Sequence, residues 1–93
     1  MDNSEKPVPI PITGELDLHT FRPREAIDLL ADYFAACRKQ GIYSVRVIHG
    51  KGTGTLRETV HRFCRSSPLV SSFCLGNETS GGWGATIVSL KRE

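Results

Sequence analysis

With 93 residues the chain is long enough for one domain, whose core would bury roughly 60–65% of the unfolded chain's surface without a disulfide or metal. No apolar run approaches the ~18 residues of a membrane span, and the first residues lack a signal peptide's basic and apolar regions. We therefore expect a soluble cytoplasmic protein that does not contact a membrane. Three cysteines with no C-x-x-C pair each lie in an apolar pattern, which predicts buried reduced thiols: Cys37, Cys64 and Cys74.

The net charge is only +2, but the charges are distributed unevenly. Residues 1–32 carry seven acidic and three basic side chains, whereas residues 33–93 carry nine basic and three acidic ones. This asymmetry favours a polyanionic partner for the basic part, although scattered surface lysines and arginines are usually only solvated.

The chain begins with a segment that cannot be a central strand. Prolines occupy every second position from 7 to 11, so residues 1–14 are predicted to form an extended N-terminal arm. Glu15–His19 then alternates strictly between polar and apolar residues and predicts a short first strand. Leu16 and Leu18 lie on one face of that strand, and Asp17 and His19 lie on the other.

The next segments alternate between helical and strand patterns. Pro23 suits a first helical turn, and apolar residues recur at helical spacing until Gly41 ends the helix. The remaining predicted elements are a strand at Tyr43–Ile48, a helix from Leu56 that Ser66-Ser67-Pro68 stops, and strands at Val70–Leu75 and Ala85–Leu90. The order β-α-β-α-β-β predicts an α/β two-layer sandwich, with two helices over a mixed four-stranded sheet whose last strand is antiparallel. Residues 15–93 are predicted to form this single domain.

A glycine-rich loop, HGKGTGTLR at residues 49–57, joins the second strand to the second helix. Alternate glycines allow a sharp turn and a close approach to another group. Thr55 and Glu58 have capping-box spacing, which predicts a helix start at Leu56 with its first N–H groups facing the loop. Glycines, a lysine and a helix N-terminus predict an anion site whose ligand is a phosphate. The spacing matches neither a Walker loop nor a dinucleotide fingerprint, so no nucleotide cofactor is expected, and a simple connecting turn is the alternative.

Three polar side chains follow the first two strands at the ends that parallel pairing would place at one edge of the sheet. Asp17 is a candidate catalytic carboxylate, or an acceptor that holds the shape of the glycine loop. His19 and His49 are candidates for general acid and base, for donors to phosphate, or for ligands with Asp17 of a divalent Mg or Mn ion. The spacing contains no metal signature. His61, on the second helix, is predicted to be a surface residue.

Three further residues are candidates for contacting the ligand. Arg57 lies in the first turn of its helix, where a cation opposes the dipole and is better explained by a bound anion. Arg22 at a helix N-cap is equally poor for its helix and can reach the ligand. Trp83 between glycines either stacks on a base or covers the sheet edge. The complete predicted phosphate-binding set is Gly50, Lys51, Gly52, Thr53, Gly54, Arg57, Arg22 and Trp83.

Three ordered motifs resemble those of the small MutS-related (Smr) domain across residues 15–90: Leu16-Asp17-Leu18-His19, His49 to Gly54 with Leu56-Arg57, and Gly81-Gly82-Trp83-Gly84-Ala85-Thr86. The resemblance implies a sandwich similar to the C-terminal domain of translation initiation factor three, binding of DNA or RNA, and endonuclease activity in several members. It also implies that binding or cleavage depends on Asp17, His19, His49, Lys51 and the loop glycines. One position departs from the family pattern, because Thr20 stands where the first motif usually ends in glycine, which restricts the exit loop.

The sequence therefore predicts a DNA- or RNA-binding Smr-like domain with endonuclease activity at residues 49–54. In this hypothesis Lys51 and Arg57 neutralise charge on the phosphate, and water activated by a histidine or a metal attacks it. A non-catalytic DNA- or RNA-binding module, acting in repair or RNA quality control, is the alternative. A small phosphorylated metabolite is a third class of ligand, for which one open edge offers little enclosure.

Overall fold

The computed structural model describes residues 12–50, 54–76 and 84–92. Its elements in chain order are β1 (Glu15–Asp17), α1 (Pro23–Lys39), β2 (Ser44–Ile48), α2 (Thr55–Ser66), β3 (Val70–Leu75) and β4 (Ala85–Leu90). The predicted order β-α-β-α-β-β is confirmed, and the last two strands have the bounds that the sequence predicts.

The sheet is mixed, with strand order β1-β2-β4-β3. β1 and β2 are parallel, and β4 runs antiparallel to both β2 and β3, which confirms the predicted direction of the last strand. Ile48 is paired with Asp17 on one side and with Ala85 on the other. The end of β1, the end of β2 and the start of β4 therefore share one row, which we call the carboxyl edge of the sheet.

One face of the sheet packs against both helices, giving the predicted two-layer arrangement. Alternate residues of β2 and β4 are buried against the helices, among them Val45, Val47 and Val88, each 0% exposed. The helices also contact each other, since the Phe34 and Phe63 ring centroids lie 6.0 Å apart. Period-2 alternation thus separates an apolar inner face from an outer face that no described helix covers.

The two ends of α1 follow its sequence signals. Pro23 opens the helix, and the Arg22 backbone N–H donates to Glu25 Oε1 at 3.0 Å. Gly41 follows the last turn with φ +77°, a left-handed conformation that favours glycine. Both predicted boundaries of this helix are confirmed.

The predicted capping box at the start of α2 is wrong. The helix begins at Thr55 rather than after it, and Gly54 is the N-cap residue with φ +87°. The Glu58 backbone N–H donates to the Gly54 carbonyl at 2.9 Å, which is the first helical hydrogen bond. A positive φ at glycine lets the chain enter the helix one residue earlier, without a side-chain cap.

The cysteine prediction holds for two of three residues. Cys37 and Cys64 are buried free thiols, and burial raises the pKa of each to about 11, which keeps them protonated and unreactive. Cys74 is exposed, so its predicted burial is wrong. It belongs to the edge strand β3 and pairs with Ile87 on the outer face of the sheet.

The predicted N-terminal arm falls mainly on residues 1–11, which lie outside the described residues. Its last residues are bound to the domain, because the Tyr33 hydroxyl accepts hydrogen bonds from the Gly14 and Thr13 N–H groups at 3.1 and 3.3 Å and donates to the Glu15 carbonyl at 3.0 Å. Within the described ranges, no helix is long and apolar enough to cross a membrane.

Tyr33→Phe tests whether this buried hydroxyl anchors the start of β1. Tyr33 is 0% exposed, so removing its oxygen leaves backbone groups without their partner. We expect a loss of about 1–3 kcal/mol in the free energy of unfolding, measured by urea denaturation. The control, Tyr43→Phe, changes a half-buried ring that lies under the Arg92 guanidinium and should change stability by less than about 0.5 kcal/mol. Equal effects of the two variants would contradict the anchoring role.

Candidate functional site

A cavity of about 410 Å³ opens at the carboxyl edge of the sheet. Its walls come from the exit of β1, the segment after β2 and the first turn of α2. We call this cavity the edge pocket; the residues that line it are His19, Phe21, Pro23, His49, Gly50, Gly54, Thr55, Leu56 and Arg57.

Asp17 and His19 form an exposed hydrogen-bonded pair, of which His19 lines the edge pocket. Asp17 Oδ1 accepts from the His19 backbone N–H at 3.0 Å and lies 2.5 Å from His19 Nδ1. The backbone hydrogen bond, followed by the one from the ring, lowers the pKa of Asp17, which is therefore ionised at neutral pH. Because a carboxylate only accepts, Nδ1 carries the hydrogen and Nε2 is the ring nitrogen that can exchange a proton. The two side chains are 50% and 58% exposed, which gives a ligand access to them.

His49 has the opposite environment, with only 4% of its surface exposed. Its Nδ1 lies 3.0 Å from the Gly50 carbonyl oxygen, and its Nε2 lies 2.8 Å from Thr86 Oγ1. Burial is the largest influence on its pKa and lowers it; the Arg57 charge acts in the same direction, while the Gly50 hydrogen bond opposes them. His49 is therefore a neutral ring whose two nitrogens both bond within the protein.

His61 also contacts this hydroxyl, so its prediction as a surface residue is wrong. It is half-buried, with Nε2 at 2.8 Å from Thr86 Oγ1. Its ring centroid lies 6.1 Å from that of His49 and 5.1 Å from that of Phe73. The sequence held one signal for this cluster: alternation with Val88 puts Thr86 on the inner face of β4, and a buried hydroxyl needs a partner.

Hydrogen bonds to Gly84 link the segment before β4 to the start of the glycine loop. Its carbonyl oxygen accepts hydrogen bonds from the backbone N–H groups of His49 and Gly50, at 2.8 and 2.9 Å. Gly50 has φ +85°, and a Cβ placed on it would lie 3.6 Å from His19 Cβ. The start of β4 therefore fixes the first residues of the glycine loop beside the Asp17–His19 pair.

Arg57 folds back over the first turn of its own helix. One guanidinium nitrogen, Nη2, lies 3.1 Å from the position that a Cβ on Gly54 would take. The cation thus stands at the positive end of the α2 dipole, where it is unfavourable unless an anion binds both. The anion site itself stays a prediction.

The structure gathers part of the predicted site at one edge: Asp17, His19, His49, Gly50, Gly54 and Arg57. Arg22 is an exposed N-cap residue of α1 and is not among the residues that line the edge pocket. The other predicted contacts, Lys51, Gly52, Thr53 and Trp83, lie outside the described residues.

The three side chains predicted as metal ligands, Asp17, His19 and His49, do not form one ligand group in the structure, and a divalent Mg or Mn ion at this edge stays a prediction. Asp17 and the His19 Nδ1 bond each other, and both nitrogens of His49 are used within the protein. Among residues 12–50, 54–76 and 84–92, no group of three or more His, Cys, Asp or Glu side chains could hold a metal.

The fold and the site define a class of protein: a small two-layer α/β domain with a glycine loop, an Asp–His pair and a pocket lined by Arg57 at one edge of the sheet. The family model of the Smr domain matches residues 16–91, and the chain belongs to this family. The resemblance seen in the three motifs is thereby confirmed.

Two longer curated proteins are similar to this chain over a part of their sequence. Over 80 residues it is 44% identical to endonuclease MutS2 of Thermomicrobium roseum and 43% identical to endonuclease MutS2 of Geobacillus kaustophilus, covering 86% of this chain in each case. The chain spans only 10% of the length of either relative.

Two solved structures share the fold. The Smr domain of Thermus thermophilus MutS2 superposes with a TM-score of 0.81 at 33% identity, covering 85% of this chain and 99% of that one. YdaL, a stand-alone small MutS-related protein from Escherichia coli, gives a TM-score of 0.79 at 26% identity, covering 89% of this chain and 67% of that one.

Gly54→Ala and Gly41→Ala together test the contact between Gly54 and Arg57. Both glycines have positive φ, so we expect each alanine to lower the free energy of unfolding by about 1–2 kcal/mol in urea denaturation. Only at Gly54 does the new methyl group meet the guanidinium, since nothing lies within 4 Å of a Cβ on Gly41. NMR signals of the Arg57 guanidinium should therefore shift in Gly54→Ala alone. A shift of equal size in Gly41→Ala would contradict the folded-back position of Arg57.

Proposed function

We propose that the edge pocket binds a phosphodiester of DNA or RNA, and that the Asp17–His19 pair promotes its hydrolysis. One observation carries the proposal: an exposed imidazole, oriented by an ionised carboxylate, lines the same pocket as Arg57 and the N-terminus of α2. A proton-transfer group and an anion-binding group thus stand together.

The binding half rests on charge and backbone geometry. The first turn of α2 directs its positive dipole end into the pocket, and the Arg57 guanidinium stands beside it. Lys51, from the same loop, is proposed as a second cation. The basic excess of residues 33–93 and the endonuclease names of the relatives support a polynucleotide over a small phosphorylated molecule.

The catalytic half uses the free nitrogen of His19. In the proposed step Nε2 takes a proton from water as the water oxygen attacks phosphorus, and the bond to the leaving sugar oxygen breaks. The leaving oxygen takes its proton from solvent. Asp17 holds the Nδ1–H tautomer and stabilises the imidazolium that forms, while Arg57 and the α2 N-terminus stabilise charge on the phosphoryl oxygens.

His49 has a different role in this proposal from the acid or base that the sequence predicts. With 4% exposure and hydrogen bonds at both nitrogens, it has no free nitrogen to offer a substrate. We assign it to holding the glycine loop. Proton transfer is assigned to His19 alone.

A non-catalytic DNA- or RNA-binding module is the second candidate. It is favoured by the coverage of the relatives: this chain corresponds to 10% of their length, so the activity in their name can reside elsewhere in those proteins. As such a module, the domain would deliver a partner to DNA or RNA in repair or in RNA quality control in the cytoplasm.

His19→Ala separates the two candidates. If His19 is the base, we expect at least a ~100-fold fall in the cleavage rate of labelled DNA or RNA, because general-base catalysis contributes about that much or more. The Kd for the same strands, measured by fluorescence anisotropy, should change less than about twofold, because His19 is not expected to contribute much to the binding free energy. The assay compares single- and double-stranded DNA and RNA with chelator, with Mg²⁺ and with Mn²⁺.

Thr20→Ala is the matched control, because Thr20 is the exposed neighbour of His19 and does not line the edge pocket. It should cleave and bind like the unmodified chain. Full cleavage by His19→Ala would overturn the assignment of the base. Binding without cleavage by the unmodified chain on every substrate would establish the module instead.

A further inference from the structure

We propose that His61 and Thr86 are positioning residues. Through a chain of hydrogen bonds they hold the His49 ring in place, with its Nδ1–H on the Gly50 carbonyl, and so fix the start of the glycine loop. The proposal deepens the proposed function and rests on it where it concerns phosphate binding. The hydrogen-bond chain itself can be tested without any ligand.

The direction of each hydrogen bond in this series follows from the Gly50 carbonyl at one end of it. The Gly50 carbonyl oxygen can only accept, so His49 Nδ1, 3.0 Å away, carries a hydrogen and donates it. A neutral imidazole has a single N–H, which makes His49 Nε2 an acceptor. The group 2.8 Å from Nε2 is the Thr86 hydroxyl, which must therefore donate to it.

The same reasoning sets the tautomer of His61. Thr86 has one hydroxyl hydrogen, and it is directed at His49. His61 Nε2, 2.8 Å from Thr86 Oγ1, must therefore be the donor. The result is a chain with one direction, from His61 Nε2–H to the Thr86 oxygen, from the Thr86 O–H to His49 Nε2, and from His49 Nδ1–H to the Gly50 carbonyl.

The reverse direction requires a charged ring in a poor environment. If Thr86 donated to His61, His49 would have to donate at both nitrogens as an imidazolium. Burial and the Arg57 charge disfavour that charge on His49. Burial lowers the pKa of His61 most, and the charges of His49, Arg57 and Arg65 lower it further, whereas Glu58 raises it. The uncharged Phe73 ring of β3 packs against the His61 imidazole.

The last hydrogen bond of the series, from His49 to the Gly50 carbonyl, acts on the start of the glycine loop beside the edge pocket. Gly50 is held from two sides, since its N–H donates to the Gly84 carbonyl at 2.9 Å and its carbonyl accepts from His49. The N–H bond fixes the peptide between His49 and Gly50, and the carbonyl bond fixes the C=O group that follows it, at a residue with φ +85°. If the His49 ring were no longer held in place, the Gly50 carbonyl would lose its donor.

The experiment uses two pairs of variants. In each pair one variant removes a hydrogen bond between His61, Thr86 and His49, and the other retains it. Thr86→Val removes the hydroxyl at equal volume, whereas Thr86→Ser retains it. His61→Phe keeps an aromatic ring against Phe73 but has no N–H, whereas His61→Gln retains a side-chain N–H donor. Circular dichroism confirms that each variant is folded, and the Thr86 pair is the milder substitution should His61→Phe fail to fold.

The direct readout is the ring ¹⁵N spectrum of His49, which reports its tautomer and its pKa. We expect the Nδ1–H tautomer with a hydrogen-bonded Nε2 in the unmodified chain, a shift of the His49 Nε2 signal in Thr86→Val and His61→Phe, where that hydrogen bond is lost or weakened, and recovery of the signal in Thr86→Ser and His61→Gln. Affinity for an oligonucleotide should fall about 3- to 10-fold in the two breaking variants, as one net hydrogen bond predicts, and recover in the other two.

The outcomes distinguish this proposal from the proposed function. An Nε2–H tautomer in the unmodified chain, or an unchanged His49 Nε2 signal in both breaking variants, overturns the positioning role. So does a loss of affinity that the preserving variants share. If the Nε2 signal responds as expected but the unmodified chain binds no DNA or RNA, the hydrogen-bond chain stands and the proposed function fails.

Discussion

The site depends on one backbone oxygen, the Gly84 carbonyl, which accepts hydrogen bonds from the N–H groups of both His49 and Gly50. This pair of bonds joins the start of β4 to the end of β2 just where the chain leaves the sheet. Because β1 pairs with β2 in parallel, Asp17 and His19 arrive beside the same junction. Residues far apart in sequence thus meet at one edge of the sheet.

His19 and His49 differ in burial, and this difference gives the two imidazoles different chemistry. His19 is more than half exposed and bonded at one nitrogen to an ionised carboxylate, so its other nitrogen can meet a substrate. His49 is almost fully buried and bonded at both nitrogens, which suits it to fixing the backbone around it. The imidazole that resembles a catalytic group in sequence is therefore, in the proposed function, a support for the loop that binds phosphate.

Local sequence signals predicted most of the fold, because strand alternation, helix ends and the glycine turn are short-range effects. β3 and β4 were predictable to the residue, and so was the shared edge of Asp17 and His49 once β1 and β2 were taken as parallel. What failed depends on neighbours distant in sequence. Cys74 is exposed because it lies on the outer face of β3, which no described helix covers, and His61 is half-buried because α2 packs it against Thr86 of β4 and Phe73 of β3.

The most direct test of the account is whether phosphate reaches the cation at the edge pocket. Arg57→Ala and Arg62→Ala remove one arginine each from α2, the first lining the pocket and the second an exposed residue away from it. Oligonucleotide affinity measured over a range of salt concentrations should lose about one unit of log–log slope in Arg57→Ala and be unchanged in Arg62→Ala. An equal change in both variants, or none in Arg57→Ala, would show that nucleic acid does not bind at this edge.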